Sequence, residues 1–191
     1  QVNTSPGDIW FVNVNGDDVI NDFDRTVIGN PQPDFIFGFN NQFGYKNFDL
    51  SIFFQGSYGN DIWNGVRVSH EGMESTYNQF TSTLNRWNGE GSSNTMPRAI
   101  YADPNRNNRA STRWVEDGSY LRLKNLTFGY RFTQDWLKKI GAKSLRLYLS
   151  FDNLWTLTNY SGLDPEVGLW GLDYGIYPTS RVYMFGASVK F

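Results

Sequence analysis

The sequence has 191 residues, no cysteine, a formal net charge of -2 and an aromatic content of 17%. The near-neutral charge gives no electrostatic reason to expect nucleic acid or an anionic membrane surface as a partner, and the absence of cysteine excludes disulfides and thiolate metal sites. No run approaches the roughly 18 apolar residues of a membrane helix, but alternating barrel strands cancel their own hydropathy, so a negative mean hydropathy does not establish a water-soluble chain. Gln1 opens polar sequence rich in Gly, Pro and Asn with no basic and apolar leader, which reads as the later part of a longer chain.

In chain order, the first chemically specific stretch is "NVNGDDVINDFD". On a calcium-loop template it offers side-chain oxygens at Asn13, Asn15 and Asp17, a backbone carbonyl at Val19, and further oxygens at Asn21 and Asp24. Asn13 stands where Asp is expected, Asp18 where Gly permits the turn, and Asp24 is shorter than a bidentate Glu. Calcium is therefore one reading, and an Asx-rich turn closed on its own backbone is the other.

Five segments then alternate apolar and polar residues with the period of a strand. The expected strands are 34–45, 47–56, 119–132, 144–155 and 181–191. The first two form a hairpin around Tyr45 to Asn47. In the third, Leu126, Phe128, Tyr130 and Phe132 form an apolar face that Tyr120, Arg122 and Lys124 extend into polar sequence. The fourth sets Leu145, Leu147, Leu149, Phe151 and Trp155 on one face, and the fifth does so with Tyr183, Phe185, Ala187, Val189 and Phe191. Asp49, Arg131, Arg146, Asp152 and Lys190 fall on the opposite face.

The connections alternate in length. Short ones follow the first and third strands, the second of them the partly helical "TQDWLKKIGAK"; long polar excursions, Ser57 to Ser119 and Thr156 to Ser180, follow the second and fourth. Outer-membrane barrels have this asymmetry, with short periplasmic turns and long extracellular loops. Strand lengths near the roughly 9–11 residues that cross a bilayer, and Tyr45, Phe132, Trp136 and Trp155 near strand ends, favour the barrel over a soluble antiparallel sandwich, which would also alternate. Open edges are not tolerated in lipid and the smallest such barrels have about 8 strands, so the five expected strands are part of a larger barrel.

The excursions carry the candidate contact residues: Trp63, Trp87, Arg98 and Tyr101 in the first, Asp164, Trp170 and Tyr174 in the second. Flat rings beside amides and carboxylates suit sugars, and the same residue types suit a protein interface. No enzyme constellation emerges, since His70 is the single histidine and has no nucleophile motif beside it.

The stretches "PGDIWFVNVNGDDVIN", "DRTVIGNPQPDFIFGFNNQFGYKNFDLSIFFQGSYGNDIWN", "RWVEDGSYLRLKNLTFGY", "LRLYLSFDNLWTLTNYSGLDPEV" and "YPTSRVYMFGASVKF" closely resemble, in order, the C-terminal end of SusC/RagA-like TonB-dependent outer-membrane transporters. The resemblance implies an all-β fold, the C-terminal strands of a large antiparallel transmembrane β-barrel with long extracellular loops, whose N-terminal plug and remaining strands lie outside this sequence. It implies import of oligosaccharide or peptide across the outer membrane of a Gram-negative bacterium, with a SusD-like surface lipoprotein, the TonB complex acting through the N-terminal part, and outer-membrane lipid as partners. Phe191 resembles the terminal aromatic read by the barrel-assembly machinery, and the last strand, which descends from a long loop, sets the C-terminus on the periplasmic side. The commoner family forms have Asp at positions 13 and 21, Gly at 18 and often Pro at 133. A TonB-dependent metal-chelate importer and a soluble, calcium-binding, carbohydrate-binding β-sandwich are the alternative readings.

Overall fold

The computed structural model describes residues 4–191, which divide into two compact units. In chain order the regular elements are β1 (Phe35–Tyr45), β2 (Phe48–Tyr58), β3 (Asp61–Asn64), α1 (Gly65–Glu71), β4 (Val115–Asp117), β5 (Tyr120–Phe132), α2 (Asp135–Lys138), β6 (Ser144–Thr158), β7 (Leu172–Asp173) and β8 (Val182–Lys190).

One unit is a five-stranded antiparallel sheet in the order β1-β2-β5-β6-β8. It is open, with β1 and β8 at its edges. The register aligns Phe43, Leu50, Phe128, Leu149 and Phe185 across the sheet on one face. That face is not a core: Phe43, Phe128, Leu149 and Phe185 are 57%, 44%, 44% and 70% exposed. A soluble sandwich would bury it, whereas a bilayer-spanning sheet turns it to lipid.

The opposite face is polar. Asp49 accepts from the guanidinium of Arg146, and Asn125 Nδ2 donates to Asp152 Oδ1 at 2.7 Å. The register also sets Arg131 opposite Arg146, and Lys190 opposite Ser144. On this face Tyr148 lies across Gly186, where an added Cβ would sit 2.2 Å from the ring carbon Cζ. Arg146 packs against the same ring at 4.8 Å, which limits its room to move. Gly186→Ala should therefore cost about 1–3 kcal/mol through overpacking, read as a lowered urea midpoint in detergent; an unchanged midpoint would show that Tyr148 swings aside.

One expectation is corrected. Tyr120 and Arg122 do not continue the face of Leu126 and Phe128. Between Leu123 and Asn125 the pairing to β2 and to β6 shifts, with Lys124 as the extra residue opposite Phe53 and Phe54. An inserted residue reverses the alternation, so Leu121 and Leu123 take the apolar face and Arg122 the polar one, opposite Gln55 and Thr156.

The second unit comprises the residues up to Pro31, Asp61–Glu116 and Val167–Gly175. A small sheet of order β4-β3-β7, with β3 and β7 parallel, anchors it. Fully buried Trp114 and Ile62 form its apolar centre. Asn64 caps α1 by accepting from the Arg67 N–H at 3.0 Å, satisfying one of the unpaired donors of the first turn.

Candidate functional site

The bulge at Lys124 aims Arg122 at the last long loop. Its guanidinium is 2% exposed, a costly position for a cation unless all its donors are met. Four of the five are met: Nη2 donates to Asp164 Oδ1 at 2.5 Å, Nη1 to Glu166 Oε2 at 2.9 Å and to Thr179 Oγ1 at 2.8 Å, and Nε to Thr156 Oγ1 at 2.9 Å. Asp164 in turn accepts from the backbone N–H groups of Thr179 and Glu166 at 3.0 Å each and from the Thr179 hydroxyl at 2.9 Å. One strand residue thus ties down both ends of the 164–179 segment. Burial alone would raise the pKa of Asp164, but the two N–H donors, Arg122 and the Thr179 hydroxyl together hold it below the ordinary 3.8.

A group with a depressed folded pKa stabilises above its unfolded value and loses that contribution as pH falls through the folded one. Protection of the 164–179 segment from protease should therefore be level from neutral pH down to the ordinary carboxylate range and decline only below it. Asp164→Asn should remove the acid step; an unaltered pH profile in that variant would detach the step from Asp164.

The other unit holds two comparable clusters. Arg67 donates to Glu71 Oε2 at 2.9 Å and to Glu116 Oε1 at 2.8 Å, and stacks on Trp114 at 5.7 Å. Arg98 forks onto Asp8 through Nε to Oδ1 at 2.8 Å and Nη2 to Oδ2 at 3.1 Å, and Asn107 Nδ2 donates to Asp8 Oδ1 at 2.9 Å.

Each residue singled out from the sequence has a definite place in this scheme. Asp164 and Arg98 are occupied by ion pairs, so their polar groups hold loops together. Trp87 is half-buried, and an added Cβ on Gly7 would lie 2.4 Å from its ring, so the indole seats on that glycine. β3 and β7 place Trp63 and Tyr174: Trp63 pairs with Leu172, its N–H donates to the Gly171 carbonyl at 2.7 Å, and the Tyr174 ring covers Gly65. Tyr101, Trp170 and Tyr174 are the most exposed of these residues, at 79%, 81% and 73%. Sequence reading gave Arg122 no loop partner and did not single out Thr179 or Asp8. The switch of apolar residues from odd positions at Leu121 and Leu123 to even ones at Leu126 and Phe128 is the signal that could have exposed the first.

In the 13–24 loop the side-chain oxygens bind the loop itself. Asn13 Oδ1 accepts from Gly16 N at 2.6 Å, Asp17 Oδ1 from Val19 N at 3.0 Å, and Asn21 Oδ1 from Phe23 N at 2.7 Å. Asp24 Oδ1 accepts from Val14 N at 2.8 Å and Asp24 Oδ2 from Asn21 N at 2.8 Å, with Asn21 and Asp24 forming a capping box for the short 3-10 turn Asp22–Asp24. The backbone bond from Asn21, ahead of those from Val14 and Asn15, lowers the pKa of the exposed Asp24. Among the described residues no three His, Asp or Glu side chains converge in a metal-binding group. A calcium ion would have to share these oxygens with their backbone donors. EDTA separates the two readings of this loop: an unchanged Tm is expected of a turn closed on its own backbone, and a drop restored by added calcium is expected of a bound ion.

Relatives decide what the sheet belongs to. TonB-dependent receptor P3 of Formosa agariphila is 39% identical over 98% of this chain, and TonB-dependent receptor SusC of Bacteroides thetaiotaomicron is 29% identical over 99% of it. The RagAB peptide importer in its closed-closed state matches 86% of the chain with a TM-score of 0.75 and 26% identity. The chain belongs to the SusC/RagA-like TonB-dependent transporters. It spans 19% of the P3 receptor's length and 18% of the matched RagAB chain. No family model matches it. This SusC/RagA-like chain is part of an outer-membrane protein of a transporter family. The five-stranded sheet is its share of the barrel wall.

Proposed function

We propose that the chain is a barrel segment of a TonB-dependent importer that moves oligosaccharides across the outer membrane, capped by a SusD-like surface lipoprotein. The observation that carries this reading is the near-complete alignment with SusC and with the RagAB importer, joined to a sheet whose apolar face is exposed. Peptide is a second cargo reading, favoured by the likeness to RagAB, described as a peptide importer. In this arrangement the hairpin turn at Lys46–Asn47 and the β5–β6 connection face the periplasm, as does Phe191, which serves as the assembly signal. The loops bearing Tyr101, Trp170 and Tyr174 face outward, toward cargo or lid. Asp49, Arg131, Arg146, Asp152 and Lys190 line the lumen, and energy arrives from the TonB complex through sequence outside this chain.

Affinity purification of the tagged protein from isolated outer membranes tests the reading. The expected product is a detergent-soluble complex with a surface lipoprotein, from cells that lose uptake of one oligosaccharide class when the gene is deleted. Loss of peptide uptake instead would select the second cargo. Recovery without any lipoprotein, with loss of metal-chelate uptake, would replace the proposal by a lidless chelate importer; recovery from the soluble fraction would overturn the barrel.

A further inference from the structure

The formal charge of -2 conceals a segregation. Five of the six lysines, Lys46, Lys138, Lys139, Lys143 and Lys190, lie at the short-turn end of the sheet, with Arg131 and Arg146; the sixth, Lys124, sits at the bulge toward the other end. The acids at the short-turn end are Asp49, bound by Arg146, and Asp135, which meets Lys138 in an ion pair of 77% and 91% exposed side chains. Such an exposed pair holds its lysine weakly.

The β5–β6 connection gives this charge a shape. α2 ends in a Schellman turn: Ala142 N donates to Leu137 O at 3.0 Å and Gly141 N to Lys138 O at 3.1 Å, with Gly141 at φ 77. The apolar contact of that motif falls to Leu137 and Ala142, which are buried. Trp136 and Ile140 are left outside, 45% and 65% exposed, interleaved with Lys138, Lys139 and Lys143. Indole and aliphatic groups alternating with ammoniums are the composition of a segment at the boundary of acyl chains and headgroups. Beside it opens a cavity of about 290 Å³ lined by Thr133, Gln134, Lys138, Gly141, Ala142 and Lys143. Its lining carries two ammoniums, a hydroxyl and an amide: Lys138 is paired with Asp135, Lys143 Nζ spends one of its three donors on the Phe191 carbonyl at 3.1 Å, and Gln134 Oε1 accepts from Trp136 Nε1 at 2.7 Å.

We propose that the β5–β6 connection binds the phosphate of an anionic phospholipid headgroup, with Lys138, Lys143 and Thr133 as donors and Trp136 and Ile140 resting on the acyl chains. Paired ammoniums favour a headgroup without its own cation, so phosphatidylglycerol is preferred to phosphatidylcholine. The site rests on the proposed membrane reading, which places this end of the sheet at a leaflet surface.

The test titrates the detergent-purified native protein with phosphatidylglycerol and with phosphatidylcholine, counting bound lipid by native mass spectrometry. Wild type and Lys124→Gln are expected to retain phosphatidylglycerol preferentially. The Lys138→Gln/Lys143→Gln double variant, with unchanged Tm, should bind it roughly twentyfold more weakly, since each ammonium near an anionic surface contributes severalfold in affinity. Equal binding by the double variant, or no preference between the two lipids, would overturn the site, and competition by inorganic phosphate would reassign it to free phosphate. If the double variant melts early, Lys143→Gln alone is read instead, with equal binding again contradicting the proposal. A protein recovered without detergent would fail the membrane reading itself, a result separable from all of these.

Discussion

Arg122→Met is expected to destabilise the sheet unit by about 3–5 kcal/mol, the usual cost of removing one partner from a buried ion pair. The side-chain volume is nearly kept, so the loss is electrostatic: Asp164 stays buried, and the Glu166 and Thr179 oxygens lose their donor. The 164–179 segment should become sensitive to protease before the strands unfold, because only its ends depend on that guanidinium. Arg122→Lys should recover little, since a single ammonium cannot reach Asp164, Glu166, Thr179 and Thr156 in fork geometry. Asp164→Asn on the Arg122→Met background should add less than it does alone, as coupled neighbours do. Additive losses, or a segment as resistant as wild type, would remove Arg122 from this role.

The second large effect separates adjacent residues of β8. Phe185 is aligned with Leu149 on the apolar face, and Met184 with Ser150 on the polar one. Phe185→Arg places a cation in lipid, at a cost of about 2–4 kcal/mol near the midplane. Met184→Arg points the same cation at the polar face, where Asp152 lies opposite the neighbouring Val182. The first variant should lose most of its membrane-assembled fraction, judged by outer-membrane yield and heat-modified gel mobility, and the second should assemble near the wild-type level. Equal yields would mean that the sheet does not contact lipid in this register.

The five long strands were legible because one face of each repeats a single residue class every two positions, as in Phe35, Phe37, Phe39 and Phe43, and no helix period competes with it. The short strands β3, β4 and β7 were not, since two to four residues cannot display a period and their pairing joins Trp63 to Leu172 across more than a hundred residues. The bulge was hidden by its own chemistry. Tyr120, Arg122 and Lys124 are amphipathic enough to pass for a strand end reaching out of lipid, although the apolar run of Leu121 and Leu123 had already changed phase. Arg98 and Asp164 drew attention as polar residues in loops, but their partners Asp8 and Arg122 lie 90 and 42 residues away, and composition carries no trace of that pairing. The lysines were visible and their place was not: a net charge sums over the chain, whereas the fold sorts it to one end.

In the proposed barrel the face of Phe43, Leu50, Phe128, Leu149 and Phe185 meets lipid while its reverse meets water. Single cysteines at successive positions from Val182 to Val189, a stretch of a chain that has no cysteine of its own, can each carry a spin label in the native protein once any cysteine elsewhere is replaced. The most direct measurement is the accessibility of each label to oxygen, which concentrates in lipid, against a water-soluble nickel chelate. The account predicts an alternation of period two, oxygen dominant at 183, 185, 187 and 189 and the chelate dominant at 182, 184, 186 and 188. Uniform access to the chelate, or the opposite phase, would contradict it.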